Sequence, residues 1–189
     1  MNTVSFYMRI LRAVYNRAVE KGLTKQANPF RHVYTGIDKT AKRAIPLEAV
    51  RRIKALDLHT NPGMDFARDM FLFSFYTRGM SFVDMAYLSA SDLRHGVLSY
   101  RRRKTGQCLS IRWERCMQEI LDKYPANDTG YLLPIIRRRG NERTQYRNMQ
   151  RLVNNKLKKI SDMAGLKMNL TMYVSRHSWA SIAKNQNIA

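Results

Sequence analysis

The chain opens with apolar residues at helical spacing. In VSFYMRILRAVYNRAVEKGL, Tyr7, Leu11, Val14, Tyr15 and Ala18 fall on one helix face, and Gly22 supplies a C-terminal stop. ANPF then turns the chain, with Pro29 holding Asn28 extended. The polar, basic stretch YTGIDKTAKR reads as a linker. Pro46 opens a second helix, PLEAVRRIKAL, because proline is tolerated in a first turn. MDFARDMFLFSFYT follows as a buried helix that groups Phe66, Ala67, Met70 and Phe73, and Gly79 ends it. Ser81 and Asp84 then match a capping box, with Asp in place of Glu, for FVDMAYL.

The pattern changes at GVLSYRRRKTGQCLSIRW, where two short β-prone runs flank KTGQ and predict a hairpin. Beyond Pro134 and a basic stretch, a long helix is expected from about Glu142 to Ala164, with Tyr146, Met149, Val153, Leu157 and Ile160 as its apolar stripe and Gly165 as its stop. A last helix begins near Thr171. The fold class is therefore mainly α with a small antiparallel β-sheet, an α+β arrangement. Its expected parts are residues 1–35, a linker over 36–45, and a main domain over 46–189.

Charge narrows the partners. Thirty-four Lys and Arg against fourteen Asp and Glu leave a net +20, which points to a polyanion and first of all to nucleic acid. An anionic membrane is the rival, but the longest apolar run, Met70 to Tyr76, is too short to span one, and the polar, amphipathic N-terminus does not read as a signal peptide. Cys108 and Cys116 fit a reducing compartment rather than a disulfide framework. His32, His59 and His95 show no ligand spacing and read as surface or packing residues, and no glycine-rich phosphate loop or zinc-protease pattern occurs.

Two groups of residues carry candidate chemistry. On a strand, side chains two apart share a face, so Arg102 and Lys104 would point together and Arg101 and Arg103 away. A lysine beside a β-turn has long reach from a firm base, although RRRK also suits a solvated edge strand whose charges discourage aggregation. In LTMYVSRHSWAS, Tyr173 and Arg176 lie three apart on neighbouring positions of one helix face. Arginine presents a planar fork that can hold two phosphate oxygens. His177 is adjacent and points elsewhere on that reading, as a packing or hydrogen-bonding residue.

The stretches YTRGMSFVDMAYL, LSYRRRKTGQ and YVSRHSWAS, in this order, resemble the catalytic domain of tyrosine recombinases, the phage-type integrases, and most of all integrases of mobile elements in Bacteroides-like bacteria. The resemblance covers almost all of the chain. It makes residues 1–35 the last helix of a core-binding domain and residues 46–189 most of a catalytic domain. It implies that two arginines grip the scissile phosphate of duplex DNA, a hairpin lysine assists the leaving 5′-oxygen, and a tyrosine attacks to give a 3′-phosphotyrosyl link. Such covalent catalysis holds the transition-state charge on fixed cations and calls for no metal or nucleotide cofactor.

Carried over residue by residue, Arg176 falls on the arginine of the family's His-x-x-Arg motif, and Lys104 on its hairpin lysine. Tyr173 stands at the motif's histidine, where it can donate a hydrogen bond but accepts a proton poorly. The family's first arginine falls on Ser81, and Arg78 or Arg102 is the candidate substitute. Arg101, Arg103, Arg147, Arg151 and His177 are read as DNA contacts. Trp179 lies too close to Arg176 to be the later family Trp and reads as packing. The family's nucleophilic Tyr lies well beyond the motif, so the chain is expected to be a cytoplasmic, monomeric fragment that binds DNA without cleaving it, from a parent tetrameric on paired sites. The alternatives are a noncatalytic basic nucleic-acid-binding module and, more remotely, type IB topoisomerase chemistry.

Overall fold

The computed structural model describes residues 2–38, 43–125 and 128–188. The chain divides into two compact units, Met1–Lys42 and Arg43–Ala189.

The first unit is built on α1 (Asn2–Glu20). Gly22, at φ +69°, ends it: its N–H donates to Val19 and that of Leu23 to Ala18, both at 2.9 Å, satisfying the last carbonyls. Returning along α1, the Ser5 hydroxyl donates to the Gly36 carbonyl, Arg12 donates to Thr35 at 3.2 Å, and the Asp38 N–H donates to Asn2 at 2.8 Å. Gly36 and Asp38, within the expected 36–45 linker, are thus hydrogen-bonded to α1, and residues 39–42 lie outside the described residues. One local expectation is corrected. Asn28 is left-handed, at φ +51°, not extended; asparagine tolerates this conformation, and its carbonyl accepts from Arg31 to close the turn. Tyr7, Leu11 and Val14, the expected apolar face of α1, are exposed.

The second unit is organised around α3 (Pro62–Tyr76). Phe66, Ala67, Met70, Phe71, Leu72 and Phe73 are all buried, so this helix is apolar on nearly every side, as a central core helix must be. The Asn61 side chain accepts from the Met64 N–H at 3.2 Å and Pro62 occupies the first turn. Against α3 lie α2 (Leu47–Ala55), α5 (Arg115–Leu121), α6 (Glu142–Met163) and α7 (Met172–Asn185). The α6 stripe buries Val153, Leu157 and Ile160 as its spacing requires.

Between α4 (Phe82–Ala86) and α5 runs a three-stranded antiparallel sheet of β1 (Leu93–Arg94), β2 (Val97–Arg101) and β3 (Cys108–Arg112). Leu98 pairs with Ile111 and both are buried, while Ser99 and Ser110 face outward and hydrogen-bond to each other at 2.9 Å. The β1 strand and the α5 helix carried no sequence expectation; each is too short for periodicity to separate it from a loop.

A charge cluster ties the first half of α3 to the end of α5. Asp69, 3 % exposed, receives Lys123, Arg68 and the Tyr124 hydroxyl, the last at 2.8 Å, while Asp65 also receives Lys123 and Arg68. Two carboxylates against two cations leave it neutral overall, the condition under which buried charge is tolerated.

Candidate active site

The last turn of α3 unwinds through two left-handed residues in succession, Arg78 at φ +58° and Gly79 at φ +74°. The N–H of Arg78 donates to Phe75 at 3.2 Å and that of Gly79 to Ser74 at 2.7 Å, which closes the helix end. Glycine is required at the second position. A Cβ there would lie 2.8 Å from the Cα of Arg176, so the junction between α3 and α4 touches the backbone of α7. Serines set that approach. The Ser175 hydroxyl donates to the Phe71 carbonyl of α3 at 3.1 Å, and Ser178, which accepts from the Ile45 N–H at 3.0 Å, returns its own proton to Val174.

Arg176 follows Ser175 directly, and its orientation is fixed in turn. Its Nε–H donates to the Gly79 carbonyl at 2.6 Å. Nε is thus engaged, while the two terminal nitrogens carry no hydrogen bond to the described residues. Arg176 lines a cleft of about 130 Å³ together with Ser81, Tyr173, Tyr146 and Gln150. Tyr173 is 62 % exposed, and its ring meets that of His177 edge-on at 4.3 Å. His177 therefore shares the face of Tyr173, contrary to the expectation that it points elsewhere; residues four apart meet along a helix.

Ser81, at the position expected for an arginine, caps α4 by accepting from the Asp84 N–H at 3.3 Å and donating its hydroxyl to the Asp84 carboxylate at 2.5 Å. The capping pair is present, but Asp84 does more than cap. Its other oxygen accepts the backbone N–H of Arg103 at 2.9 Å, so a carboxylate only 5 % exposed joins α4 to the turn of the hairpin.

That turn corrects the strand-based reading. β2 ends at Arg101, and residues 102–107 form a wider loop in which Arg102 and Gln107 are bonded at 2.8 Å and the Gly106 N–H donates to the Arg102 carbonyl at 2.8 Å. Arg102 and Lys104 therefore do not share a strand face. Arg102 is half-buried beside the last inward position of β2, Tyr100, whereas Lys104 is exposed within the turn. Burial pushes the Tyr100 phenol up to about 12, Asp84 adds to this, and Arg102 and Arg176 both oppose it.

The remaining candidates are placed as follows. The Arg103 guanidinium lies 3.7 Å over the Tyr87 ring, a cation–π contact, so its side chain is engaged. Arg101, at the end of β2, and Arg147 and Arg151, one turn apart on α6, are exposed, as is Arg78. Sequence reasoning missed the roles of Gly79, Asp84 and Tyr100. Each was visible only as a helix stop, a cap or an alternating strand residue.

A central helix with α6 and α7 against it, and a small antiparallel sheet whose turn is bound to α4, make up a fold that matches solved tyrosine recombinases. No family model matches the chain, and no curated protein matches it in sequence. Solved structures do match. Lambda integrase bound to DNA aligns with a TM-score of 0.64 at 17 % identity, over 96 % of this chain and 65 % of that one. A lambda integrase dimer bound to a COC′ core site aligns at 0.59 and 18 %, over 91 % and 63 %. XerA recombinase aligns at 0.53 and 16 %, over 95 % and 69 %. The chain spans less than two thirds of the lambda integrase chains it matches.

Proposed function

We propose that the chain is the catalytic part of a site-specific DNA recombinase, whose parent breaks and rejoins DNA through a 3′-phosphotyrosyl intermediate. Arg176 grips the scissile phosphate through its two terminal nitrogens, Lys104 protonates the departing 5′-oxygen from the hairpin turn, and Tyr173 donates its hydroxyl to a phosphate oxygen. Arg102 takes the part of the first arginine, because it is half-buried at the start of the hairpin turn that carries Lys104, whereas Arg78 is exposed at a helix end. Charge developing on the phosphorane is met by these cations, of which Arg176 is already held in place by Gly79, a contribution worth about 3 kcal/mol per well-aimed donor. The observation that carries the reading is the Arg176–Gly79 bond within a recombinase fold, at a junction that Asp84 ties to the lysine-bearing turn.

Tyr173 is not the nucleophile of the proposed enzyme, which is a cytoplasmic integrase of a mobile element, tetrameric on paired sites. This chain alone binds duplex DNA as a monomer. Two assays test the reading. Duplex binding should weaken steeply with salt and fall at least tenfold in Arg176→Ala. Incubation with a nicked suicide duplex should give no covalent adduct on a denaturing gel. An adduct overturns the reading that this chain alone binds without cleaving, and salt-insensitive binding overturns the DNA reading. A noncatalytic binder remains the second reading, since exposed Arg147 and Arg151 suit backbone contacts alone.

A further inference from the structure

Three consecutive exposed arginines, Arg137, Arg138 and Arg139, precede α6 and are not used by the candidate active site. A run of arginines in a loose loop would be an ordinary solvated segment. This one is wound around a single side chain. The Gln145 carboxamide oxygen accepts the backbone N–H groups of Arg137 at 3.1 Å and Arg138 at 3.3 Å, and its nitrogen donates to the carbonyls of Arg138 at 2.9 Å and Gly140 at 2.8 Å. All four hydrogen-bonding positions of that amide are committed to the loop. Arg137 is aimed further, its Nε–H donating to the Pro134 carbonyl at 3.2 Å. The loop borders a groove of about 410 Å³ whose floor is Ile135, Met149 and Leu152, and which shares no lining residue with the cleft around Arg176.

We propose that the Arg137–Arg139 loop is a second DNA-contacting surface that takes backbone phosphates of a duplex outside the candidate active site, with Gln145 as its positioning residue. The proposal rests on the DNA-binding part of the reading above. A guanidinium fork matches two phosphate oxygens, and a duplex offers one charge per about 1.7 Å of its axis, a density that three adjacent arginines can use together. Fixing the loop beforehand lowers the entropy lost on binding, which is what the four bonds to Gln145 accomplish. The apolar groove floor suits the sugar edge beside those phosphates.

The test is fluorescence anisotropy of the full chain with a labelled duplex across about 50 to 200 mM salt. Three variants are compared: Arg137→Ala/Arg138→Ala/Arg139→Ala, Gln145→Ala, and a charge-matched control, Arg51→Ala/Arg112→Ala/Arg115→Ala, at arginines paired with Glu48, Glu114 and Glu119. The loop triple should shrink the slope of log K against log salt by about two to three, the control by less than one. Gln145→Ala should weaken binding about three- to tenfold with no charge lost, through the added cost of ordering the loop. Circular dichroism identifies any variant that fails to fold, and the loop triple, whose altered side chains are exposed, then decides alone. A loop triple that behaves as the control does overturns the proposal while leaving the active-site reading standing. Failure of the unaltered chain to bind duplex overturns both. Tighter binding of polyglutamate than of duplex at equal ionic strength overturns it in favour of an acidic protein partner.

Discussion

Arg176 donates its Nε–H to the carbonyl of Gly79 across 97 positions of sequence, and a side chain at Gly79 would run into the backbone of Arg176 itself. The glycine and the arginine are therefore one structural unit. The close approach fixes where the guanidinium begins, and the hydrogen bond fixes which edge of it is left for a ligand.

Gly79→Ala should disrupt this unit. The left-handed backbone alone costs about 1–2 kcal/mol for a residue with a Cβ, and displacement of α7 adds to it. The expected result is a lowered denaturant midpoint together with weaker DNA binding, measured by urea unfolding and anisotropy. A variant as stable as the parent contradicts the contact.

Arg78 makes the opposite case. It holds φ +58° at a helix end where glycine is favoured, so Arg78→Gly should stabilise the protein by about 1 kcal/mol. If Arg102 is the working partner of Arg176, Arg78→Gly keeps most DNA affinity while Arg102→Ala loses about tenfold. The reverse ranking reassigns the role to Arg78.

Helices α3 and α6 were legible because apolar spacing and a glycine stop agree along them, α7 begins beside the expected Thr171, and the hairpin around KTGQ was legible too. The candidate site was legible only in part. Tyr173 and Arg176 share a cleft, as three-residue spacing on a helix requires. Arg102 and Lys104 were misplaced, because the strand gives way to a six-residue turn that alternation cannot foresee. Asp84 read as a cap, since nothing local announces that its second oxygen reaches residue 103. The contact of Gly79 with Arg176 is long-range and has no sequence signature.

Asp84→Ala should release the hairpin turn. It removes the acceptor of a backbone N–H and of the Ser81 hydroxyl, a loss of about 1–3 kcal/mol when such groups are left unpaired. Amide exchange at Arg103 should accelerate well beyond what the global stability change accounts for. Unchanged protection there contradicts the tie.

Alkaline pH should unfold the second unit. Burial, with Asp69 beside it, raises the Tyr124 phenol far above its ordinary range, and burial pushes those of Tyr76 and Tyr100 up to about 12. Burial alone would lower the Lys123 ammonium, but its bonds to Asp65 and Asp69 outweigh this and raise it. In each case the native state keeps its proton after the unfolded chain, titrating near 10, has lost it, so the unfolded state binds fewer protons and stability falls as pH rises. Urea midpoints should hold to about pH 9 and decline from about pH 10 to 12. In Tyr124→Phe the decline should be shallower, and an unchanged decline contradicts the assignment.

The central claim is that Arg176 and Lys104 hold one phosphate, and it is tested most directly by the structure of this chain bound to duplex DNA. The terminal nitrogens of Arg176 and the Nζ of Lys104 should both lie within about 3 Å of oxygens on a single phosphate. Arg176 and Lys104 on different phosphates, or Arg176 turned away from the DNA, contradicts it.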